Sequence, residues 1–243
     1  MKKILFVLGM FFTFLPLFAA DIWETSEEID VNGVLAEKSV TISDSVMKVI
    51  NASPNGDTET LIDLNADKIT IINHKYKSFQ TIKLSKYIEF AQQLFNELKE
   101  KSGKIDPEKV LPKVTFEKQG NETVGNWNCE VWVVSVDGKL YSQVWVAPEL
   151  KSPQIIEFKK KFVAVLPENL SKYRTVDAQI DDKFMEIGTV VRSIKVAQNP
   201  KMPTVKTTVK KMMKSDLKKI NFTIPAGYVD KSTPEMTKPQ VKQ

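Results

Sequence analysis

Short runs enriched in valine, isoleucine, threonine and aromatic residues recur along the chain, separated by turn residues. Val40-Thr41-Ile42 and Val46 to Ile50 alternate with the period of two that marks strands. Thr60 to Leu64 and Ile69 to Ile72 flank Asn65-Ala66-Asp67, a hairpin loop, and Phe79 to Lys83 follows the polar stretch Asn73 to Lys77. These segments predict an antiparallel meander. The period then lengthens. Leu84, Tyr87, Ile88, Ala91, Leu94, Phe95 and Leu98 fall at three- and four-residue steps, which predicts an amphipathic helix over 85–101. Ser85 suits its start, Lys99 and Lys101 its negative end, and Gly103 its stop. Asp106-Pro107 can open one more short turn before Pro112.

The sharpest local signal is the pair Asp137-Gly138 between Cys129 to Val136 and Lys139 to Val146, a two-residue hairpin of type I′. An unbroken register places Cys129, Val131, Val133, Ser135, Leu140, Ser142, Val144 and Val146 on one face. Trp132, Tyr141 and Trp145 then share the other, a face both aromatic and amphipathic. Ile155, Phe158, Phe162, Val165 and Leu166 give a second helical stripe opened by Pro153. The polar segment 168–182 carries no clear period, with a helix as one reading of it. Val190 to Val196, Val205 to Met212 and a short run from Asn221 to Ile224 read as further strands. Strands, a helix, strands, a second helix and strands again make an α+β chain with one large antiparallel sheet and helices on one face. Its segments divide as 1–20, a single folded unit over 21–230, and a tail over 231–243 with little to bury.

The first twenty residues change where this fold works. Met1-Lys2-Lys3 is followed by a run from Ile4 to Ala20 that is apolar except for Thr13 and Pro16 and holds no acid. That is the anatomy of a secretory signal, cut after Ala19 or Ala20, with an uncleaved anchor as the competing reading. Either way the remaining chain is translocated. The net charge of +5 is unevenly spread: from Lys195 to Gln243 there are eleven lysines against three acids. Only Arg174 and Arg192 are arginines, so the arginine-based recognition typical of nucleic-acid readers is not expected. A weak attraction of the Lys-rich C-terminal third to an anionic envelope surface competes with plain solvation of those lysines.

Candidate chemistry is sparse. His74 is the single histidine and Cys129 the single cysteine. A loop histidine beside lysines reads as a surface residue, and a cysteine at the start of a strand reads as a buried structural thiol. Neither supplies a metal-ligand spacing, and one cysteine allows no internal disulfide. Acids cluster at Glu27-Glu28-Asp30 and Asp181-Asp182 without the glycine-turned spacing of a calcium loop. There is no Gly-rich phosphate loop or nucleophile elbow. No enzyme, metal or cofactor is therefore expected. What remains is apolar surface. Tyr87, Phe90, Leu94, Phe95, Phe158 and Phe162 exceed what a thin helical stripe needs, and a curled sheet could enclose a ligand cavity beneath them, or they simply fill the core. Trp132, Tyr141 and Trp145 are the candidates for a partner surface.

Four pieces in order carry a resemblance: Leu61-Ile62-Asp63-Leu64 to Lys68-Ile69-Thr70-Ile71-Ile72; Gly125-Asn126-Trp127-Asn128-Cys129-Glu130-Val131-Trp132; Val144-Trp145-Val146-Ala147-Pro148-Glu149-Leu150; and Phe222-Thr223-Ile224-Pro225-Ala226-Gly227-Tyr228. With them the chain resembles an uncharacterised family of exported bacterial domains of unknown function. Beyond it, the chain is distantly similar to the group built like the periplasmic lipoprotein carrier LolA and its receptor. The resemblance implies a half-open antiparallel barrel, a single curved sheet with two or three helices on its concave face as a lid over an apolar groove. It departs from the carriers in having Met47, Lys48 and Val49 where they place an arginine in the early strands. The expected function is non-enzymatic binding of a lipid, another hydrophobic ligand or a lipidated partner in the periplasm. The alternative is a solid-cored envelope protein–protein interaction module without a ligand.

Overall fold

The computed structural model describes residues 22–53, 56–102, 112–167, 176–199, 202–215 and 223–232, without the side chains of Phe95 and of residues 98–102. The expected signal at 1–20, the turn at Asp106-Pro107 and the tail beyond Ser232 lie outside the described residues.

The first six strands form an antiparallel meander, of which the last five were expected: β1 (Ile22–Val31), β2 (Val34–Ile42), β3 (Val46–Ala52), β4 (Thr58–Asp63), β5 (Lys68–Asn73) and β6 (Ser78–Lys83). Helix α1 (Leu84–Ser102) leads to a second meander of β7 (Val114–Val124), β8 (Trp127–Val136) and β9 (Lys139–Ala147). Helices α2 (Pro153–Ala164) and α3 (Val176–Ile187) follow, then β10 (Thr189–Lys195), β11 (Val205–Ser215) and the two-residue β12 (Val229–Asp230). All twelve described strands make one sheet, in the order β12-β6-β5-β4-β3-β2-β1-β11-β10-β9-β8-β7. Pairing is antiparallel throughout, except that β12 runs parallel to β6. The fold is thus α+β, a single large open curved antiparallel sheet with three described helices. Register shifts between Ser26 and Glu27, Lys118 and Gly120, Val134 and Ser135, and Val190 and Arg192 bend strands that would otherwise run flat.

Strand β1 was not expected from the pattern, because Glu24, Glu27, Glu28 and Asp30 hide its alternation. It nevertheless lies mid-sheet, since its neighbours supply lysines. Lys38 of β2 reaches Glu27 at 3.3 Å, Lys210 of β11 reaches Glu28 at 3.0 Å, and Lys206 lies opposite Asp30. Cross-strand pairs of opposite charge favour this register over any slip. Part of the Lys-rich C-terminal third is therefore engaged inside the sheet. Asn32 (φ 52°) and Gly33 (φ 86°) turn β1 into β2, as Asp137 (φ 50°) and Gly138 (φ 78°) turn β8 into β9; both are two-residue turns needing two positive φ values. Strand β7 was also missed, being polar between Phe116 and Val124. The short strand expected over Asn221 to Ile224 is not found at Thr223 or Ile224; the pairing falls instead at β12.

Ser85 does not cap α1. Asp67, at φ 51° in the β4–β5 turn, does: the Ser85 amide and hydroxyl both donate to its carboxylate at 2.8 Å. These bonds, the hydroxyl's first, hold the Asp67 carboxyl below its ordinary value. A depressed folded pKa contributes stability that is fully present above the ordinary aspartate range and is lost as pH falls through the folded value. Asn can keep the positive φ and an acceptor but does not titrate. The stability difference between the wild type and Asp67→Asn should therefore be constant above about pH 5 and change only below about pH 4, which urea unfolding at pH 6, 4 and 3 measures.

Candidate functional site

The unbroken register of β1 to β6 lets each face be read in rows. One row runs Trp23, Ile42, Met47, Ile62, Ile69, Ile82. Helices α1 and α2 cover it: Leu84, Ile88 and Phe158 pack with these side chains into one core, and Met47, Phe162 and Leu166 lie at its margin. Trp23 donates its indole N–H to Gln154 of α2 at 2.8 Å. Lys161 of α2 reaches Asp44 in the β2–β3 turn at 2.7 Å, and that bond holds the Asp44 carboxyl below its ordinary value. Ser152 caps α2 by accepting from the Ile155 amide.

The next row on the same face is Thr25, Val40, Val49, Thr60, Ile71, Gln80. None of these six is buried, and Ile71 is 37% exposed although β5 is an inner strand. The third row is polar: Glu27, Lys38, Asn51, Thr58, Asn73, Ser78. The helix-bearing face thus grades from a covered apolar row, through an accessible mixed row, to a polar row. A surface of that kind can take an apolar chain beside the helices and a polar group next to it.

Over the other half of the sheet, α3 lays Ile180 and Phe184 on Val134, Val144 and Val146. Phe184 is 1% exposed and meets Phe116 and Trp132 edge-on, with ring centroids 5.6 Å and 5.8 Å away. Asp177 ties the start of α3 down, accepting from the Tyr141 hydroxyl at 2.9 Å and from Lys195 at 2.8 Å.

Of the expected lid residues, Tyr87 is 40% exposed, Phe90 and Leu94 are half-buried, and the side chain of Phe95 lies outside the described ones. Phe158 is core; half-buried Phe162 stacks on it at 6.2 Å. The expected aromatic partner surface does not form. The β8–β9 register slips by one residue at Tyr141, so Trp132 lies opposite Val144 and Val131 opposite Trp145. The slip sends the two tryptophans to opposite faces. Trp145 is 4% and Tyr141 9% exposed. Trp145 donates to Glu122 at 2.7 Å beneath the Arg192 guanidinium, and half-buried Trp132 packs under α3.

His74 is not the plain surface residue that its loop suggested. Its Nδ1 lies 2.8 Å from the Tyr228 hydroxyl and its Nε2 3.7 Å from Glu59, whose other oxygen is 2.8 Å from Lys48. The parity of the rows puts this cluster on the face opposite the helices. Cys129 is 1% exposed and burial pushes its thiol pKa up, the reverse of what a nucleophile needs. It borders an open pocket of about 560 Å³ lined by polar and apolar surface alike, with Glu122, Glu130 and Glu149 among its walls. Among the described residues no group of histidine, cysteine and acids is placed to hold a metal ion, and no helix is long and apolar enough to cross a membrane.

Comparison with known proteins places the chain in a family. Residues 35–228 match the family described as a domain of unknown function, DUF4412, and the chain belongs to it. No curated protein matches. Similar solved structures include an uncharacterized conserved protein from Thermus thermophilus, with TM-score 0.45 and 7% identity over 88% of this chain and 91% of that one. A chain of the Pseudomonas aeruginosa MucA/MucB complex has TM-score 0.38 and 7% identity over 81% of this chain and 53% of that one. A LolA superfamily protein from Nitrosomonas europaea has TM-score 0.29 and 8% identity over 82% and 87%.

Proposed function

We propose that this member of the DUF4412 family is a non-enzymatic binding protein of the bacterial cell envelope, and that it takes an acyl chain, from a lipid or a lipidated partner, along the accessible row of its helix-bearing face. The observation that carries the reading is Ile71 and its row-mates Val40 and Val49, left accessible on an inner stretch of sheet beside a helix-covered core. Val40 and Val49 are half-buried and Ile71 is 37% exposed, so each leaves apolar area in water that burial would turn into stabilisation, at roughly 25 cal/mol per Å². An apolar ligand supplies that burial. The neighbouring polar row, with Lys38 and Glu27 paired at 3.3 Å and Asn51 beside them, suits a headgroup. The export-type leader at 1–20 supports the compartment.

Lysines at two of the apolar positions test it. Val49→Lys with Ile71→Lys places charge where the acyl chain would lie, without touching the covered row. Binding of a fluorescent fatty acid should weaken by about tenfold or more, since burying one uncompensated charge costs well over the 1.4 kcal/mol that corresponds to tenfold. Thermal unfolding should stay within a few degrees of the wild type. Unchanged fatty-acid binding in a folded variant would overturn the proposal.

A further inference from the structure

The two outer edges of the sheet are guarded differently. At one end β7 is exposed over most of its length, but it carries Glu117, Lys118 and Glu122 and is kinked by the register shift between Lys118 and Gly120, where Gly120 takes φ 156°. Charge and a bulge are ordinary means of stopping an edge strand from pairing with another chain. At the other end β6 has no bulge and a single charge, Lys83. Its six residues Ser78-Phe79-Gln80-Thr81-Ile82-Lys83 include one charge, pair with β5 without a register shift, and are rich in strand formers.

What covers β6 is the segment from Tyr228 to Ser232. The Val229 amide donates to the Lys77 carbonyl at 2.9 Å and the Lys231 amide to the Phe79 carbonyl at 2.8 Å. The Thr81 amide donates to the Ser232 hydroxyl at 2.8 Å. The Tyr228 ring, edge-on to His74 with its hydroxyl 2.8 Å from Nδ1, fixes the start of the segment. The strap buries almost nothing: Val229 is 60% exposed, and Asp230 and Lys231 are exposed too. It is held by edge hydrogen bonds and one aromatic latch. Such a strap is an odd investment for core stability and a direct one for satisfying an edge.

We propose that residues 228–232 are a protective strap on β6, and that when the strap is lifted this edge pairs with β6 of a second copy of the chain. The second copy is the occupant because β6, once uncovered, leaves the Phe79 carbonyl and the Thr81 amide without their strap partners, beside strand-forming side chains with only Lys83 to repel an identical strand.

The test lifts the strap in the full chain. Val229→Pro with Lys231→Pro removes the two amides that bond to Lys77 and Phe79; a chain ending at Gly227 removes the strap altogether. Light scattering after size exclusion should give each at least twice the mass of the unmodified chain at equal concentration, with unchanged far-ultraviolet circular dichroism. Adding Thr81→Pro should return the mass to that of the unmodified chain, because the Thr81 amide points to the strap rather than to β5. If the shortened chain does not fold, the double-proline chain decides alone. An unchanged mass overturns the proposal, and so does association that survives Thr81→Pro.

Discussion

Replacing Phe184 by Ala should destabilise the protein by about 3–5 kcal/mol, lowering the thermal midpoint by about 6–20 °C for a chain of this size. Phe184 is 1% exposed, and its ring is the point where α3 meets the sheet: Phe116 of β7 and Trp132 of β8 both contact it edge-on. With the ring gone, neither strand can move in to close the space, because both are fixed by their ladder to each other. The cost is therefore transfer plus cavity. The polar clasp of Asp177 on Tyr141 and Lys195 would remain, but its ion pair is partly exposed, and exposed ion pairs contribute about 0–1 kcal/mol. A loss under about 1 kcal/mol would mean that α3 is not seated on the sheet in solution.

Trp145→Ala should cost a similar amount, about 3–5 kcal/mol, with no specific effect on a partner. The side chain is 4% exposed in the core formed with Cys129, Val131 and Val191. Removing it deletes the indole bond to Glu122 at 2.7 Å and the stacking of Arg192 at 4.9 Å, leaving two charged groups that had shared it. Denaturant unfolding separates this from a surface role: a tryptophan that only met a partner would leave the midpoint where it was.

That second result bears on what the sequence could disclose. The β8–β9 turn was legible, because Asp137-Gly138 demands two positive φ values and little else fits. The faces beyond it were not. One extra residue at Tyr141 reverses the facing of β9 from Ser142 onward, and no alternation pattern announces a bulge between residues that are apolar on both sides. Strand β1 was illegible for another reason: its partners are lysines on β2 and on β11, far along the chain, so its acids looked like a surface cluster. Helix α3 was only faintly legible in its polar stretch, because few of its residues, Ile180 and Phe184 buried with Val176 and Ile187 at the margin, pack on the sheet. Strands β2 to β6 and α1 were clear because local period and burial agree there. Of the candidate site, the helical aromatics were legible as apolar, but which of them are core and which are accessible depends on how far along the sheet the helices reach. The same holds for His74, whose partner Tyr228 lies 154 residues away.

The central claim is that the accessible row of Val40, Val49 and Ile71 is a ligand surface rather than an idle stretch of sheet. Native mass spectrometry of the protein taken gently from the cells that make it tests this most directly. The account predicts a reproducible added mass that organic extraction releases as an acyl-chain lipid, or a co-purifying lipidated polypeptide. A bare polypeptide mass in every preparation, together with no fatty-acid binding by the purified chain, would contradict it.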